Sequence, residues 1–179
     1  MYMKYTSAKL NKILKKLEDE HQSLITEQQT VATYTAYEGE DIEDHIKMYD
    51  YEATQIRLRK IEEYVRTIKH AINEFNATTK VAGFDMTIDQ LLIYIPQLNA
   101  RKNILATMAG RHQKERYGYG NRYETITGKL IREYTYANYD VNKAKQDYLE
   151  VCDLIRNAQL ELDSLNNNAE IKVDIDIDI

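Results

Sequence analysis

Apolar residues recur along this chain in alternating steps of three and four. Leu10, Leu14, Leu17, His21, Leu24, Gln28 and Val31 form the first such row, the spacing at which one stripe of a helix meets a neighbour in a coiled coil. With Thr6 or Ser7 as its cap, this row predicts a helix over about 7–32. Residues 33–41, with Gly39 among them, break the period and read as a loop. Glu40, Asp41, Glu43 and Asp44 follow, where the positive end of a second helix, about 43–77, attracts negative charge.

That second helix carries two rows: Ile46, Tyr49, Ala53 and Ile56, then Ile61, Val65, Ile68, Ile72 and Phe75. The step from Ile56 to Ile61 is five, which predicts a rotation of the seam around Arg57 to Lys60. Thr87 caps a third helix, about 88–112, with Ile88, Leu91, Ile95, Leu98, Lys102, Leu105 and Ala109 in its row. Pro96 falls inside it and costs about 3 kcal/mol in a helix interior, so a kink or short break is expected near Tyr94 and Ile95. Asp140 caps a fourth helix, about 141–166, whose row Val141, Ala144, Tyr148, Val151, Ile155, Ala158, Leu162 and Leu165 has no fault.

Between the third and fourth rows the period shortens. Residues 122–127 and 129–136 are rich in Tyr, Thr and Ile and predict a hairpin about Thr127 and Gly128. After "NNNAE", the run "IKVDIDIDI" alternates Ile and Val with Lys and Asp. It predicts a half-buried strand over about 170–178 that joins the hairpin. The expected fold class is therefore mainly α: about four long, antiparallel, coiled-coil-like helices with a small β-hairpin or β-sheet element near the C-terminal half. Residues 1–179 are expected to form a single elongated helical domain, without internal repeats.

Composition sharpens this picture in four ways. One Pro and six Gly favour long helices over a many-turned β fold. The 24 Lys and Arg against 29 Asp and Glu leave a net charge of −5, which disfavours a general nucleic-acid binder. A single cysteine, Cys152, forms no internal disulfide, and "MYMKYTSAKLNKILKK" lacks a signal-peptide apolar core, so a cytoplasmic location is expected. Fifteen Tyr against two Phe and no Trp indicate shallow, half-wet packing surfaces.

Chemistry is sparse. His21, His45, His70 and His112 never take the paired spacing of a helical metal site, so no metal and no other cofactor is expected. His45 beside Glu43 and Asp44 reads as a solvated helix start, and His21 with Gln28 as polar seam positions that fix register. Cys152 reads as a small packed residue beside Asp153. "DIDIDI" lacks the Gly and distal Glu of a calcium loop and reads as a charged edge that resists aggregation. The segment "RHQKERYGYGNR" interleaves Arg111, Lys114, Arg116 and Arg122 with Tyr117 and Tyr119, as a stacking platform for nucleic acid does; a plain connecting loop is the simpler alternative. No residue is assigned a catalytic role.

The stretch "INEFNATTKV", followed by "MTIDQLL" and a late "LDSLNN", resembles the septicolysin-like family of uncharacterised small bacterial helical proteins. An Ile-Asn-x-x-Asn-Ala-Thr-Thr run is matched at Ile72, Asn73, Asn76, Ala77, Thr78 and Thr79. A second run is matched at Thr87, Ile88 and Leu92, and a third at Leu165 and Asn166. The chain departs from the family at Asn167, where the family has Trp, and at Pro96, where it has Asp. The likeness spans roughly residues 55–167 and implies long helices, a small β element and a polar helix-end cluster of Asn73, Asn76, Thr79 and Asn166.

The function expected from these features is a non-enzymatic helical scaffold or interaction protein that self-associates through its heptad faces as a homo-oligomer, most simply a dimer. A toxin-like, membrane-acting protein is one alternative, although no stretch reaches the ~18 apolar residues of a span. A nucleic-acid-binding accessory protein acting through residues 111–122 is the other.

Overall fold

The structure, a computed structural model, describes residues 3–41, 43, 48–118, 122–123, 128 and 130–175. Asp44, His45, Ile46, Tyr119, Thr127 and residues 176–179 lie outside them, as does the side chain of Arg122. Four helices dominate, in the order β1 (Met3–Thr6), α1 (Ser7–Val31), α2 (Tyr51–Thr78), α3 (Ile88–Ala109), β2 (Lys114–Arg116), β3 (Arg122–Tyr123), β4 (Leu130–Ile131), β5 (Tyr134–Tyr136), α4 (Val141–Asn168) and β6 (Glu170–Val173). The protein is mainly α with a small β component, as the periodicity predicts. The chain divides into two compact units, Met1–Asp89 with Leu162–Ile179, and Gln90–Glu161.

The first unit is built on α1 and α2, which run antiparallel. Thr6 caps α1 by accepting a hydrogen bond from the Lys9 amide, and Asp50 caps α2 by accepting from the Ala53 amide at 2.9 Å. The second helix thus starts at Tyr51, eight residues later than its acidic approach suggests. Asp50 satisfies an orphan N–H directly, which a cluster of acids near a helix start does only through its field. The seam of α2 also differs from expectation. Leu58 is 8% exposed and Ile56 is 60% exposed, so the row continues Leu58, Ile61, Val65, Ile68 in steps of three and four. The predicted rotation around Arg57 to Lys60 is absent, because Leu58 and not Ile56 is the inward residue.

Polar rungs cross this helix pair. Gln55 Nε2 donates to Gln28 Oε1 at 2.9 Å, and His21 Nε2 lies 3.4 Å from Glu62 Oε1. Outside the seam, Arg57 donates Nε to Glu20 Oε1 at 2.6 Å and Nη2 to Oε2 at 2.7 Å. This two-pronged bond, and then the guanidinium charge acting against partial desolvation, holds the Glu20 carboxyl below its ordinary value of 4.5.

Two helices cannot bury both of their stripes, and here strands supply the cover. β6 pairs antiparallel with β1, from Met3 opposite Val173 to Thr6 opposite Glu170. The C-terminal strand therefore pairs with β1, a strand the sequence did not announce, and not with the hairpin. Its alternation works as expected: Ile171, Val173 and Ile175 are buried while Glu170, Lys172 and Asp174 are exposed. The three enter one cluster with Leu10, Ile13, Leu14, Leu17, Ile61 and Ile68.

The turn after α2 explains why "NATTKV" stops a helix. Thr79 is the C-cap, and Lys80 bridges to Thr87 across a tight loop in which Val81 N donates to Met86 O and Phe84 N to Val81 O. Gly83 sits at φ +74°, the left-handed region that favours glycine, and Val81 is only 2% exposed. Helix α3 begins at Ile88, whose amide donates to Thr79 O.

In the second unit, Leu98, Leu105, Val151 and Ile155 of α3 and α4 pack together, flanked by Tyr94 and Tyr148. Of the kink or short break expected at Pro96, the break does not occur: helix α3 runs through the proline and ends at Ala109, earlier than predicted. Pro96 is solvent-facing, so water can take the Leu92 carbonyl that the ring leaves without a donor. The hairpin starts at Lys114, earlier than predicted, with Lys114, Glu115 and Arg116 opposite Tyr136, Thr135 and Tyr134. A second short ladder pairs Arg122 and Tyr123 with Ile131 and Leu130. Gln113 Nε2 donates to the carbonyls of Ala137 and Tyr139, its Oε1 accepts from the Val141 amide, and Tyr139 Oη donates to Met108 O at 2.9 Å. These bonds tie the base of the hairpin to both helix ends.

Truncating Leu58 to Ala is expected to destabilise the fold by about 2–4 kcal/mol in urea unfolding, whereas Ile56→Ala changes it by less than about 0.5 kcal/mol. Because Glu20 is held below its unfolded value, its contribution is present above that value and disappears as pH falls through the lower, folded one. Glu20→Gln is therefore expected to flatten the acid limb of the stability profile measured below about pH 5.

Candidate functional site

The register of β2 and β5 builds a surface that neither strand has alone. The amides of Tyr117 and Ala137 donate to Glu133 O and Gln113 O, which makes those the hydrogen-bonded pairs. The intervening pairs, Lys114 with Tyr136 and Arg116 with Tyr134, are non-hydrogen-bonded and bring their side chains closer together. All four then point to one face, while Glu115 and Thr135 point to the other, and the alternation carries Glu133 with them. The contacts agree. Lys114 Nζ sits 4.2 Å from the centre of the Tyr134 ring and 5.3 Å from that of Tyr136, and the two rings stand 6.4 Å apart, tilted by 56°. Each of the four residues is exposed.

Of the predicted basic and aromatic loop, Lys114 and Arg116 lie on this face, and Arg111 and Tyr117 are exposed nearby in sequence. Arg122 lies on β3, and Tyr119 is outside the described residues. Tyr134 and Tyr136 were not singled out from sequence. Their signal was the period-two agreement of "KER" and "YTY", but only the register shows which residues share a face.

The predicted polar helix end is dispersed. Asn73 is exposed, Asn76 and Asn166 are half-buried, and Thr79 is the cap of α2. Among the described residues no hydrogen bond joins these four side chains. The helix ends are satisfied by other residues: Thr78 Oγ1 donates to Glu74 O at 2.8 Å, Asn167 Nδ2 to Asp163 O at 2.7 Å, and Asn168 Nδ2 to Ser164 O at 2.9 Å. Short polar side chains bond back to their own helix more readily than to a distant one.

Other candidates stay small. Cys152 is half-buried, and a hydrogen bond to it raises the Tyr148 phenol above its ordinary value of 10.0. His21 and Glu62 rim an open groove of about 310 Å³ between α1 and α2, with Ile61 and Val65 along it. No group of three or more His, Cys, Asp and Glu that could hold a metal ion occurs among the described residues.

No protein-family model matches the chain, and no curated protein does either. Among solved structures, the chain is similar to a functionally unknown conserved protein from Corynebacterium diphtheriae, with a TM-score of 0.54 and 14% identity, covering 94% of this chain and 99% of the other. At that identity the likeness is one of fold.

With no hydrogen bond from its amide to another described residue, Asn76 is expected to tolerate replacement. Asn76→Ala should change unfolding free energy by less than about 0.5 kcal/mol, since the better helix propensity of Ala offsets lost packing. A loss of about 1–3 kcal/mol, measured by denaturant titration, is the result expected of a buried cluster with stranded partners.

Proposed function

We propose that the protein is a non-enzymatic helical scaffold that self-associates, most simply as a twofold dimer, through apolar surface on its second unit. The observation that carries this reading is the exposure of Leu92, Ile93 and Ile104 on α3 and of Leu149, Leu154 and Leu160 on α4. Ile93 and Ile104 are eleven residues apart, as are Leu149 and Leu160, so each pair lies on one side of its helix at three-turn spacing. The heptad rows of α3 and α4 are themselves mostly buried within the chain. The reading therefore assigns association to these off-row positions.

Exposed aliphatic side chains repeated at this helical spacing are the kind of surface that oligomers cover. The septicolysin-like resemblance of residues 55–167 fits the same reading and adds no activity. The membrane-acting alternative has less support, because no helix among the described residues is long and apolar enough to cross a membrane.

Light scattering at about 50 µM, where contacts with micromolar Kd are occupied, is expected to return close to twice the 21.0 kDa chain mass. The double variant Ile104→Lys/Leu160→Lys is expected to return the single-chain mass with unchanged helical circular dichroism. A monomer for the unsubstituted protein overturns the proposal.

A further inference from the structure

We propose that the face of β2 and β5 carrying Lys114, Arg116, Tyr134 and Tyr136 is a docking site for single-stranded nucleic acid. This goes beyond self-association and rests on different residues. The proposal starts from charge. Residues 111–137 hold six Lys and Arg against three Glu, a balance of +3 in a chain of −5. The strand register then sorts that charge further, since Glu115 and Glu133 fall on the reverse side and, among the described residues of the two strands, the proposed face carries cations and no acid. A polyanion meets a locally positive field there despite the acidic chain.

The aromatic residues decide which polyanion. Two tyrosine rings 6.4 Å apart on an exposed strand offer π-faces to unstacked bases, while the flanking cations meet the phosphates. Arg116 lies opposite Tyr134 in the non-hydrogen-bonded register, and Lys114 stands over both rings. A duplex hides its bases and uses only the cations. An acidic peptide brings no row of flat bases to stack, and an anionic bilayer is held by a sizeable inserted apolar face, whereas these two phenols stand among cations with no aliphatic side chain beside them among the four. The mounting is firm, because Gln113 and Tyr139 tie the base of the hairpin to the ends of α3 and α4. A firm platform loses less entropy on binding.

Fluorescence anisotropy of the full chain with a labelled 20-mer of deoxythymidine tests this. Binding at about 50 mM salt that weakens steeply by about 200 mM is expected. Tyr134→Phe/Tyr136→Phe should bind within about twofold of the unsubstituted protein, because the rings remain. Tyr134→Leu/Tyr136→Leu keeps apolar bulk and strand geometry but should lose at least about tenfold in affinity, as expected for the loss of base stacking. Lys114→Gln/Arg116→Gln should lower the salt slope by about 1.4, two phosphate contacts at about 0.7 each, and Thr135→Ala on the reverse face should change nothing. Absence of binding, an undiminished Leu variant with native circular dichroism, or equal or tighter binding of duplex DNA, poly-glutamate or anionic vesicles overturns the proposal.

Discussion

Everything in the first unit depends on covering an apolar stripe that two helices cannot cover by themselves. Facing α1 and α2 satisfies one side of each, leaving Ile13 and its neighbours beside the seam open to water. The strand pair β1–β6 closes that side with Ile171, Val173 and Ile175, each 4% exposed or less. Because β6 follows α4 in sequence, the cover comes from the far side of an inserted segment, and the unit is discontinuous for that reason. Pairing residues some 166 positions apart, as Lys4 and Glu170 are, costs loop-closure entropy that grows only slowly with length. Burial of three branched apolar side chains at about 1.5–3 kcal/mol each offsets it.

Tyrosine content follows from the same thinness of layers. In a deep core the phenol oxygen needs a buried partner, but at the edge of a two-layer unit it reaches water or a nearby group. Tyr139 uses the Met108 carbonyl, Tyr148 uses Cys152 one turn on, and the rings of Tyr5 and Tyr64 lie under the ammonium groups of Lys9 and Lys60. A phenylalanine in these places would bury the same ring without holding its outer edge.

Legibility in the sequence tracked the range of the interactions. The rows of α3 and α4 match the buried positions almost residue by residue, since a seven-residue apolar period is a local property with one structural solution. Thr6 and Asp140 announced their helices, and both cap as expected. Ile56 misled because its 3-4 spacing to Tyr49 and Ala53 looked like a seam. Both a stripe through Ile56 and one through Leu58 were compatible with apolar content, and only packing against α1 separates them. The partner of β6 was illegible for a stronger reason: "MKYT" carries no mark that distinguishes it from a helix approach, and pairing between distant strands leaves no spacing to read. The candidate face was half visible, its cations in one segment and its rings in another, with the register needed to join them. The Asn and Thr helix end was overread, because the local back-bonds at these helix ends are made by the neighbouring Thr78, Asn167 and Asn168 and need no partner helix.

The discontinuity of the first unit also orders events during synthesis. Residues 90–161 are contiguous, so the second unit has all its contacts as soon as α4 is made. The first unit does not. Helices α1 and α2 are translated early but wait through α3, the hairpin and α4 before β6 exists to shield Ile13 and its neighbours beside the seam. Over that interval the nascent chain shows an uncovered aliphatic strip, the kind of surface that holdase chaperones engage. A ribosome halted anywhere between the end of α2 and residue 170 leaves a polypeptide whose inserted unit is finished and whose enclosing unit is still greasy on one side. Translation speed through the last helix thus becomes a determinant of how long this protein is at risk of aggregation.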